Sequence, residues 1–393
     1  MKLNFLFLSF LSLISFDNFS FDININQEEN YFTVLEKSQT QFTFINSVSK
    51  IQTQIIKTEE EDFLKLIIPS YSSNSQDGNA EIPVLQKLIR VPYGSDIVIK
   101  ILNTEEKIIN LSELGYNLNL FPNQPSVSKS ADMDGIPFYY NESYYSLDKF
   151  SNENLVSTEL LGKMRGQQLA RLTVNPISYN PVKNQIKVIT KAEVKVYFKN
   201  SNLEDDIKNR TRYYSPHFES LFKSFVNYTP ISTKDVITTY PVKYIVISDP
   251  QFQSALQPLI EWKRKKGFLV IEEYTNNPVV GNTTTSIHAF IKDLYNNPSD
   301  GITPTYLLIV GDNDQVPSFN TGQHVSDMYF CEFDGGGDFY PEMYFGRFSA
   351  NNISEVEAQV TKTLIYEQYT FKDPSFLDEV LLVAGVDVSM ATT

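Results

Sequence analysis

The stretch TYLLIVGD, residues 305–312, decides the fold of the second half of the chain. Its first six residues are almost all apolar, which is typical of a strand in a parallel sheet whose two faces are both covered. Val242–Ile247 and Val380–Ala384 are similar apolar runs, and segments with apolar residues at helical spacing lie between the three. Because strand and helix alternate, residues 241–393 are predicted to form an α/β domain with a mainly parallel sheet.

The segments between these runs predict the helices and the remaining strands of the same half. One helix is predicted over Phe252–Lys266, and a second begins at a cap provided by Thr285 or Ser286. A third, longer helix begins at a cap provided by Ser354. Two further strands are predicted at Phe268–Glu272 and Tyr344–Phe348.

The upstream half has a different pattern, in which apolar and polar residues alternate over short runs separated by turn residues. Residues 21–226 are therefore predicted to form an all-β, sandwich-like domain that ends in a helix over His217–Val226. The polar residues 227–240 are predicted to link the two domains. The predicted strands are Tyr31–Glu36, Gln41–Asn46, Phe63–Ile68, Lys87–Val91, Asp96–Leu102, Gln168–Val174, Gln185–Thr190 and Glu193–Phe198.

Residues 1–20 are predicted to be a secretory signal peptide. Lys2 precedes the apolar run Phe5–Phe16, which is shorter than the ~20 residues that a membrane span needs. A buried strand or helix is the alternative reading of this run. No later segment is long and apolar enough to span a bilayer, so we expect a secreted or cell-surface protein without a membrane span.

Composition and cysteine usage exclude several classes of partner and site. The chain has 47 acidic and 33 basic residues, and a net charge of −14 repels phosphate backbones, so no nucleic-acid partner is expected. Cys331 is the one cysteine, which excludes an intrachain disulfide and a cysteine-rich zinc site. A lone cysteine can be a nucleophile, with His324 as the nearest histidine in sequence. Its aromatic neighbours instead favour a small buried apolar residue.

The acidic, glycine-rich stretch from Asp334 to Glu342 is the best candidate for a site. Its carboxylates recur at a spacing of four, and the glycines between them let backbone carbonyls turn inwards. Calcium takes about six to eight oxygen ligands at ~2.3–2.6 Å from carboxylates and carbonyls. Asp312 adds a carboxylate just beyond a predicted strand, where ligands of parallel sheets bind. From the residues alone, a calcium site and a solvated acidic loop are both open.

From Asn227 onward the sequence resembles the gingipain family of cysteine peptidases, through motifs that occur in unbroken order. The upstream half resembles the propeptide-type domain of the same family, above all at Leu172–Pro181. The matching segments of the second half are Tyr228–Pro230, Lys243–Ile247, Ile260–Lys263, Lys266–Gly267, Thr305–Asp312, Val325–Met328, Asp338–Glu342, Phe345–Ser349 and Ile365–Glu367.

The resemblance implies a caspase-like α/β fold that is built from two subdomains. Family members carry the nucleophilic cysteine and its histidine in the second subdomain, so the resemblance implies that both lie beyond Thr393 and argues against Cys331. The expected organisation is an export signal, a pro-domain and the first half of a peptidase domain, incomplete at its C-terminus.

The resemblance also implies a structural calcium ion in the first subdomain. The oxygens that match the family's ligands belong to the carboxylates of Asp312, Asp338 and Glu342 and to the backbone carbonyls of Tyr340 and of a residue near Asp334. These are the residues that the calcium prediction names, and no other cofactor is expected.

The expected function is that of a secreted gingipain-like cysteine endopeptidase acting on protein or peptide substrates. The alternative is a related domain that lacks catalysis and serves as a binding or secretion-associated module. Family precursors are typically cut after a basic residue that precedes a Tyr-Thr-Pro start. Here Asn227 precedes Tyr228, so Lys223 and Lys234 are the nearest alternatives for such a cut.

Overall fold

A computed structural model describes residues 21–59, 61–73, 75–126, 136–151, 153–230, 241–322, 324–335 and 338–382. The predicted signal peptide lies outside the described residues, as do residues 231–240 of the predicted linker. Within the described ranges, no helix has both the length and the apolar character needed to cross a membrane.

The first half of the chain, residues 21–230, consists mainly of antiparallel strands and is called the N-terminal domain below. Each predicted strand of this half is present, and the predicted Gln185–Thr190 and Glu193–Phe198 form one continuous strand. The strands are β1 Phe21–Asn24, β2 Tyr31–Lys37, β3 Gln41–Ser47, β4 Lys50–Lys57, β5 Asp62–Ile67, β6 Ser72–Ser73, β7 Pro83–Val91, β8 Asp96–Asn110, β9 Val156–Met164, β10 Gln167–Val174, β11 Ile177–Asn180 and β12 Gln185–Lys199.

These strands form three sheets, and the largest of them packs against the other two. Its order is β11-β12-β3-β2, with β8 also paired to β12; the other orders are β6-β7-β10-β9 and β1-β4-β5. Phe44 of β3 and Val194 of β12 share a core with Leu172 of β10. Ile51 of β4 shares a second core with Tyr179 of β11. The sandwich-like arrangement expected from the alternating runs is therefore confirmed.

In the part of this domain that the structure describes, the α-helices are α1 Glu142–Tyr145, α2 Leu203–Arg212 and α3 Pro216–Phe222. The sequence pattern missed α2, because this helix is not held by an apolar stripe. Its buried residues are Asp206 and Arg210, and Asp206 accepts two 2.8 Å hydrogen bonds from Nη1 of the buried Arg90 on β7. A polar contact of this kind leaves no helical periodicity of apolar residues to detect.

The second half, residues 241–382, is an α/β domain with a parallel sheet and is called the C-terminal domain below. The order of the four strands is β14-β13-β15-β18, and every pairing in this sheet is parallel, as predicted. The elements are β13 Lys243–Ser248, α4 Gln253–Lys265, β14 Leu269–Tyr274, α5 Thr284–Asn296, β15 Tyr306–Val310, β16 Phe319–Asn320, β17 Val325–Ser326, β18 Tyr344–Phe348 and α6 Ile353–Glu367.

Helices cover both faces of this sheet, which explains the unbroken apolar runs of its strands. On one face, Ile309 of β15 packs in a core with Ile287 of α5. On the other, Leu308 packs with Leu256 of α4 and Val356 of α6. The helix caps are Thr283 and Asn352, each slightly upstream of the predicted caps.

The prediction of a buried strand at Val380–Ala384 is wrong for the residues that the structure describes. Val380, Leu381 and Leu382 are 82%, 88% and 85% exposed and lie outside any strand. The neighbouring β18 is the last strand of the described sheet and pairs with β15 alone. An apolar run acquires strand structure and burial only when a partner strand and covering helices are present.

Candidate functional site

The acidic loop, residues 331–343, connects β17 to β18 and contains most of the predicted site; residues 336 and 337 lie outside the described ranges. The backbone N–H of Glu342 donates to the carbonyl of Cys331 at 2.7 Å and closes the base of the loop. Helix α5 holds its first residues: His288 Nε2 donates to the carbonyl of Glu332 at 2.9 Å, and Lys292 Nζ to that of Phe333 at 2.8 Å.

Glu342 is a buried carboxyl at the end of this loop, only 2% exposed. Its Oε2 accepts hydrogen bonds from the hydroxyl of Tyr295, at 2.7 Å, and from the backbone N–H of Arg165. Burial raises the pKa of Glu342 well above its usual range, and a hydrogen bond with the Asp334 carboxyl adds to the rise. The carboxyl thus joins the C-terminal domain to a turn of the N-terminal domain.

Asp338 contacts the same turn. Its Oδ2 accepts the backbone N–H of Lys163 at 2.8 Å, and its Oδ1 accepts that of Tyr340 at 3.0 Å. Burial raises the pKa of Asp338, although these two N–H groups act in the opposite direction. Gly162 lies against this carboxylate, since a Cβ there would be 2.7 Å from Oδ2. The Tyr340 ring packs beside a small apolar cluster that includes Met164.

Asp312 lies at the carboxyl end of β15, as predicted, but the partners described for it do not belong to the acidic loop. Its Oδ1 accepts the backbone N–H of Asn313 at 2.8 Å, and its Oδ2 accepts Asn351 Nδ2 at 3.4 Å. The N–H of Asn313, followed by hydrogen bonds from Ser349 and Asn351, holds the pKa of Asp312 below its usual value. These contacts tie Asp312 to the segment before α6 rather than to the acidic loop.

Among the described residues, no group of three or more His, Cys, Asp or Glu side chains has the geometry of a metal site. Asp338 and Glu342 both contact the same turn of the N-terminal domain. The convergence of Asp312 with them stays a prediction. Tyr340 follows Asp338 in the same loop, so its carbonyl is close to these carboxyls in sequence.

Arg347, in the motif Phe345–Ser349, positions the loop that follows β15. Its Nε and Nη2 each donate to a carboxylate oxygen of Asp327 at 2.7 Å. Its Nη1 donates to the carbonyls of Gly311 and Val316, both at 2.8 Å. A bidentate contact between arginine and a carboxylate adds geometric specificity as well as binding energy, so it holds the two segments in one relative position.

Cys331 is fully buried in the core beneath α5, beside Phe330 and Met343. Burial raises the pKa of its thiol well above the usual range, and the nearby carboxylates of Glu342 and Asp327 add to this. His324 contacts Thr321 and Tyr329. Cys331 thus has the surroundings of a small buried apolar residue, in agreement with the interpretation favoured by its neighbours in sequence.

Arg165 is the residue of this region that the sequence pattern missed. It is 1% exposed, and it lies in the two-residue turn between β9 and β10 with a positive φ of 52°. Its Nη1 donates to the carbonyls of Pro304 and Glu342 in the C-terminal domain, at 2.5 and 3.2 Å. The pair Arg165-Gly166 between two strands is a hairpin-turn signal, but it does not indicate what the arginine contacts.

Two family models match the chain. Residues 25–227 match the model Propeptide_C25, and residues 237–392 match that of peptidase family C25. The two matches cover the N-terminal and the C-terminal domain in turn.

Individual proteins are similar over most of the chain. Lys-gingipain W83 of Porphyromonas gingivalis is 35% identical over 367 residues, which are 91% of this chain and 21% of that protein. Gingipain R1 of the same organism is 24% identical over 329 residues, or 81% of this chain and 32% of that protein. A solved structure described as an insight into the zymogenic latency of gingipain K overlaps with 46% of this chain and 100% of its own, at 33% identity and a TM-score of 0.44.

The chain spans about a fifth of the length of the Lys-gingipains that it matches. The propeptide model alone matches more than half of the chain, and the match to the peptidase model includes the whole described range of the C-terminal domain. The chain therefore belongs to the gingipain family of cysteine peptidases, family C25, and matches both the family's propeptide model and its peptidase model.

Proposed function

We propose that the intact protein is an exported cysteine endopeptidase, and that this chain contributes its propeptide domain and the first part of its peptidase domain. In this proposal the catalytic histidine and cysteine come from outside residues 1–393. The observation that supports it most strongly is Cys331. It is the one cysteine of the sequence, it is 0% exposed, and burial raises the pKa of its thiol.

The chemistry of the class explains why Cys331 is unsuited to it. A thiolate attacks the carbonyl carbon of the peptide bond, while a histidine takes the thiol proton and delivers it to the leaving amine. Water then hydrolyses the acyl-enzyme, which restores the thiol. A reactive thiolate needs a lowered pKa at an accessible position, whereas a thiol in an apolar core stays protonated. The residues of this chain would thus shape and cover the peptidase rather than perform the attack.

Protein or peptide substrates follow from the class of enzyme. Export is supported by the pattern of Lys2 followed by the apolar run Phe5–Phe16. The second candidate function is a family member without catalysis that acts as a binding or secretion-associated module. It is favoured by the same burial of Cys331 if the intact protein supplies no other nucleophile.

A peptidyl acyloxymethyl ketone, which alkylates catalytic thiolates, separates the two candidates. The full-length natural protein should be labelled, and peptide mapping should place the label on a cysteine other than Cys331. The Cys331→Ala variant should be labelled equally well. No labelling at all would contradict the enzyme and support the binding module, and labelling confined to Cys331 would contradict the assignment of the nucleophile.

We also propose that the acidic loop holds a structural calcium ion. Burial is the main cause of the raised pKa values of Asp338 and Glu342, and the charge of Asp334 adds to both, so these three acidic groups repel one another when ionised. Carboxylates together with the Tyr340 carbonyl are the oxygen donors that calcium prefers. Asp312 would join them only if its contacts with Asn351 open. Calcium at this loop would neutralise the repulsion and order the loop.

A further inference from the structure

We propose that the turn Lys163–Gly166, called the anchor turn below, is the element by which the N-terminal domain holds the C-terminal domain, and that Arg165 is the residue on which this association depends. The inference concerns the binding of the two domains to each other. It therefore does not depend on which cysteine is the nucleophile.

The backbone of the anchor turn is preset for this contact. Arg165 and Gly166 have positive φ values of 52° and 68°, as in a two-residue hairpin turn of the primed type. At Gly166 a Cβ would lie 2.5 Å from the Tyr213 ring, so the glycine also allows close packing. An arginine in this conformation is uncommon and persists only when its surroundings hold it there. The contacts of its side chain explain how it is held.

The guanidinium group bridges the two domains through four backbone carbonyls. In the N-terminal domain, Nε donates to Tyr213 at 2.9 Å and Nη2 to Tyr214 at 3.4 Å. In the C-terminal domain, Nη1 donates to Pro304 and Glu342. Both acceptors in the C-terminal domain depend on this one nitrogen, and separating the domains breaks both hydrogen bonds at once.

Two aromatic rings, one from each domain, flank the same group. The guanidinium carbon lies 5.2 Å from the ring centre of Phe218 and 5.4 Å from that of Tyr295. Phe218 in turn stacks on Tyr344 of β18 at 4.2 Å. Arginine over aromatic faces in a desolvated place adds to binding. The side chain is therefore surrounded by both domains rather than attached to one of them.

Arg165 carries a buried charge that is balanced by these carbonyls and rings. None of the ion pairs found among the described residues involves it. The carboxyl of Glu342 instead accepts the backbone N–H of Arg165. Truncation of the side chain would leave the carbonyls of Pro304 and Glu342 buried without a donor, which is costly.

Further contacts between the domains surround this centre; one of them, between Thr305 and Ser215, is buried, and most of the others are more exposed. Lys163 Nζ lies 3.6 Å from Asp334, and Thr303 Oγ1 donates to the carbonyl of Arg212 at 3.2 Å. Nδ1 of His217 forms a hydrogen bond of 2.5 Å with the hydroxyl of Tyr306. A buried arginine ringed by weaker, partly exposed contacts is the usual anatomy of an interface hot spot.

The test uses the full chain with a site for a sequence-specific protease placed within residues 231–240. After complete cutting, a dilution series followed by size-exclusion chromatography gives the Kd of the two pieces. The wild type should stay together at micromolar concentration. Arg165→Ala should raise Kd at least about 30-fold, as hot-spot residues do. Arg165→Lys keeps the charge but not the fork, so its Kd should rise by about tenfold or more.

The matched control is Lys183→Ala. Lys183 also lies in a turn between two strands of the N-terminal domain, β11 and β12, but its side chain is 55% exposed and pairs with Asp148 of its own domain. Its Kd should equal that of the wild type. Circular dichroism of the uncut chain shows whether each variant folds, and Arg165→Lys keeps the test decisive if Arg165→Ala does not. Pieces that separate in the wild type, or a Kd that is unchanged in both Arg165 variants, would overturn the proposal.

Discussion

The backbone N–H of Arg165 donates a hydrogen bond to Oε2 of Glu342, which lies 177 residues further along the chain. The donor belongs to a tight turn of the N-terminal domain, and the acceptor is a buried carboxyl of the C-terminal domain. The two halves that the family models separate are therefore joined through the acidic loop. This relationship connects the predicted calcium loop to the propeptide and motivates the first prediction.

Tyr295→Phe should destabilise the chain by about 1–2 kcal/mol, because it removes a hydroxyl that donates to the buried Glu342 and leaves the ring in place. The ring stacks on Tyr213 of the N-terminal domain, at 5.1 Å, and that contact is kept. Urea unfolding measures the loss. The matched control is Tyr366→Phe, since Tyr366 is 64% exposed and should change the free energy of unfolding little. Equal effects of the two variants would contradict the prediction.

Glu367→Gln should destabilise the C-terminal domain in a manner that depends on pH. Burial alone would raise the pKa of Glu367, but hydrogen bonds from Lys263 and Lys266 outweigh it and lower that pKa below its usual value. The stabilisation is therefore complete above the unfolded pKa of about 4.3, and it is lost as the pH falls through the lowered folded-state pKa.

We expect the Glu367→Gln variant to lose about 2 kcal/mol at pH 7, where Lys263 would be left buried beside a neutral amide, and much less near pH 3. Glu357→Gln on the exposed face of the same helix is the control. Chemical unfolding at both pH values provides the measurement. A loss that is the same at pH 7 and pH 3 would show that Glu367 acts through packing rather than charge.

Limited proteolysis should cut the linker C-terminal to Pro230, within residues 231–240, and not at the bond between Asn227 and Tyr228. Asn227 is 1% exposed, and its amide group exchanges two hydrogen bonds with the backbone of Arg90, at 2.7 and 2.8 Å. The carbonyl of Thr229 accepts Arg210 Nη2 at 2.6 Å. N-terminal sequencing of the larger fragments identifies the first cut. A first cut at Asn227, or within a strand of either domain, would contradict both this protection and the predicted boundary.

Calcium should raise the melting temperature of the chain relative to a chelator. A ligand that binds only the folded state at a hundredfold excess over Kd adds about 2.7 kcal/mol, and millimolar calcium suits even a modest site. Asp338→Ala should abolish the shift. Asp314→Ala, which removes an exposed carboxylate from the loop after β15, should leave it unchanged. If Asp338→Ala keeps the full shift, calcium is bound elsewhere or the assignment of the loop is wrong.

The sequence predicted the elements whose burial is apolar and periodic. Tyr306–Val310 lies within an apolar run that is typical of a strand covered on both faces. The strands β3 and β12 begin at the residues predicted from the alternating pattern, Gln41 and Gln185. It missed α2, which is held by the buried contact of Asp206 with Arg90. The strand at Val380 was wrong because the described part of the sheet offers it no partner.

The candidate site was predictable only in part, because contacts between residues that are distant in the chain leave no pattern in the sequence. Asp338 and Glu342 could be named because acidic residues and glycines at short spacing have a local chemical meaning. Arg165 could not, since its partners lie between 48 and 177 residues away and only the folded chain brings them together. Contacts of that kind are a property of tertiary packing, and no periodicity in the sequence marks them.

Hydrolysis of peptide substrates by this chain is the most direct test of the central claim that its residues do not include the catalytic pair. Purified chain, assayed with calcium and a reductant on substrates with basic and with neutral residues before the cleaved bond, should show no turnover above a blank. Cys331→Ala should give the same result, because the thiol is buried and protonated. Turnover by the wild type that disappears in Cys331→Ala would contradict the account.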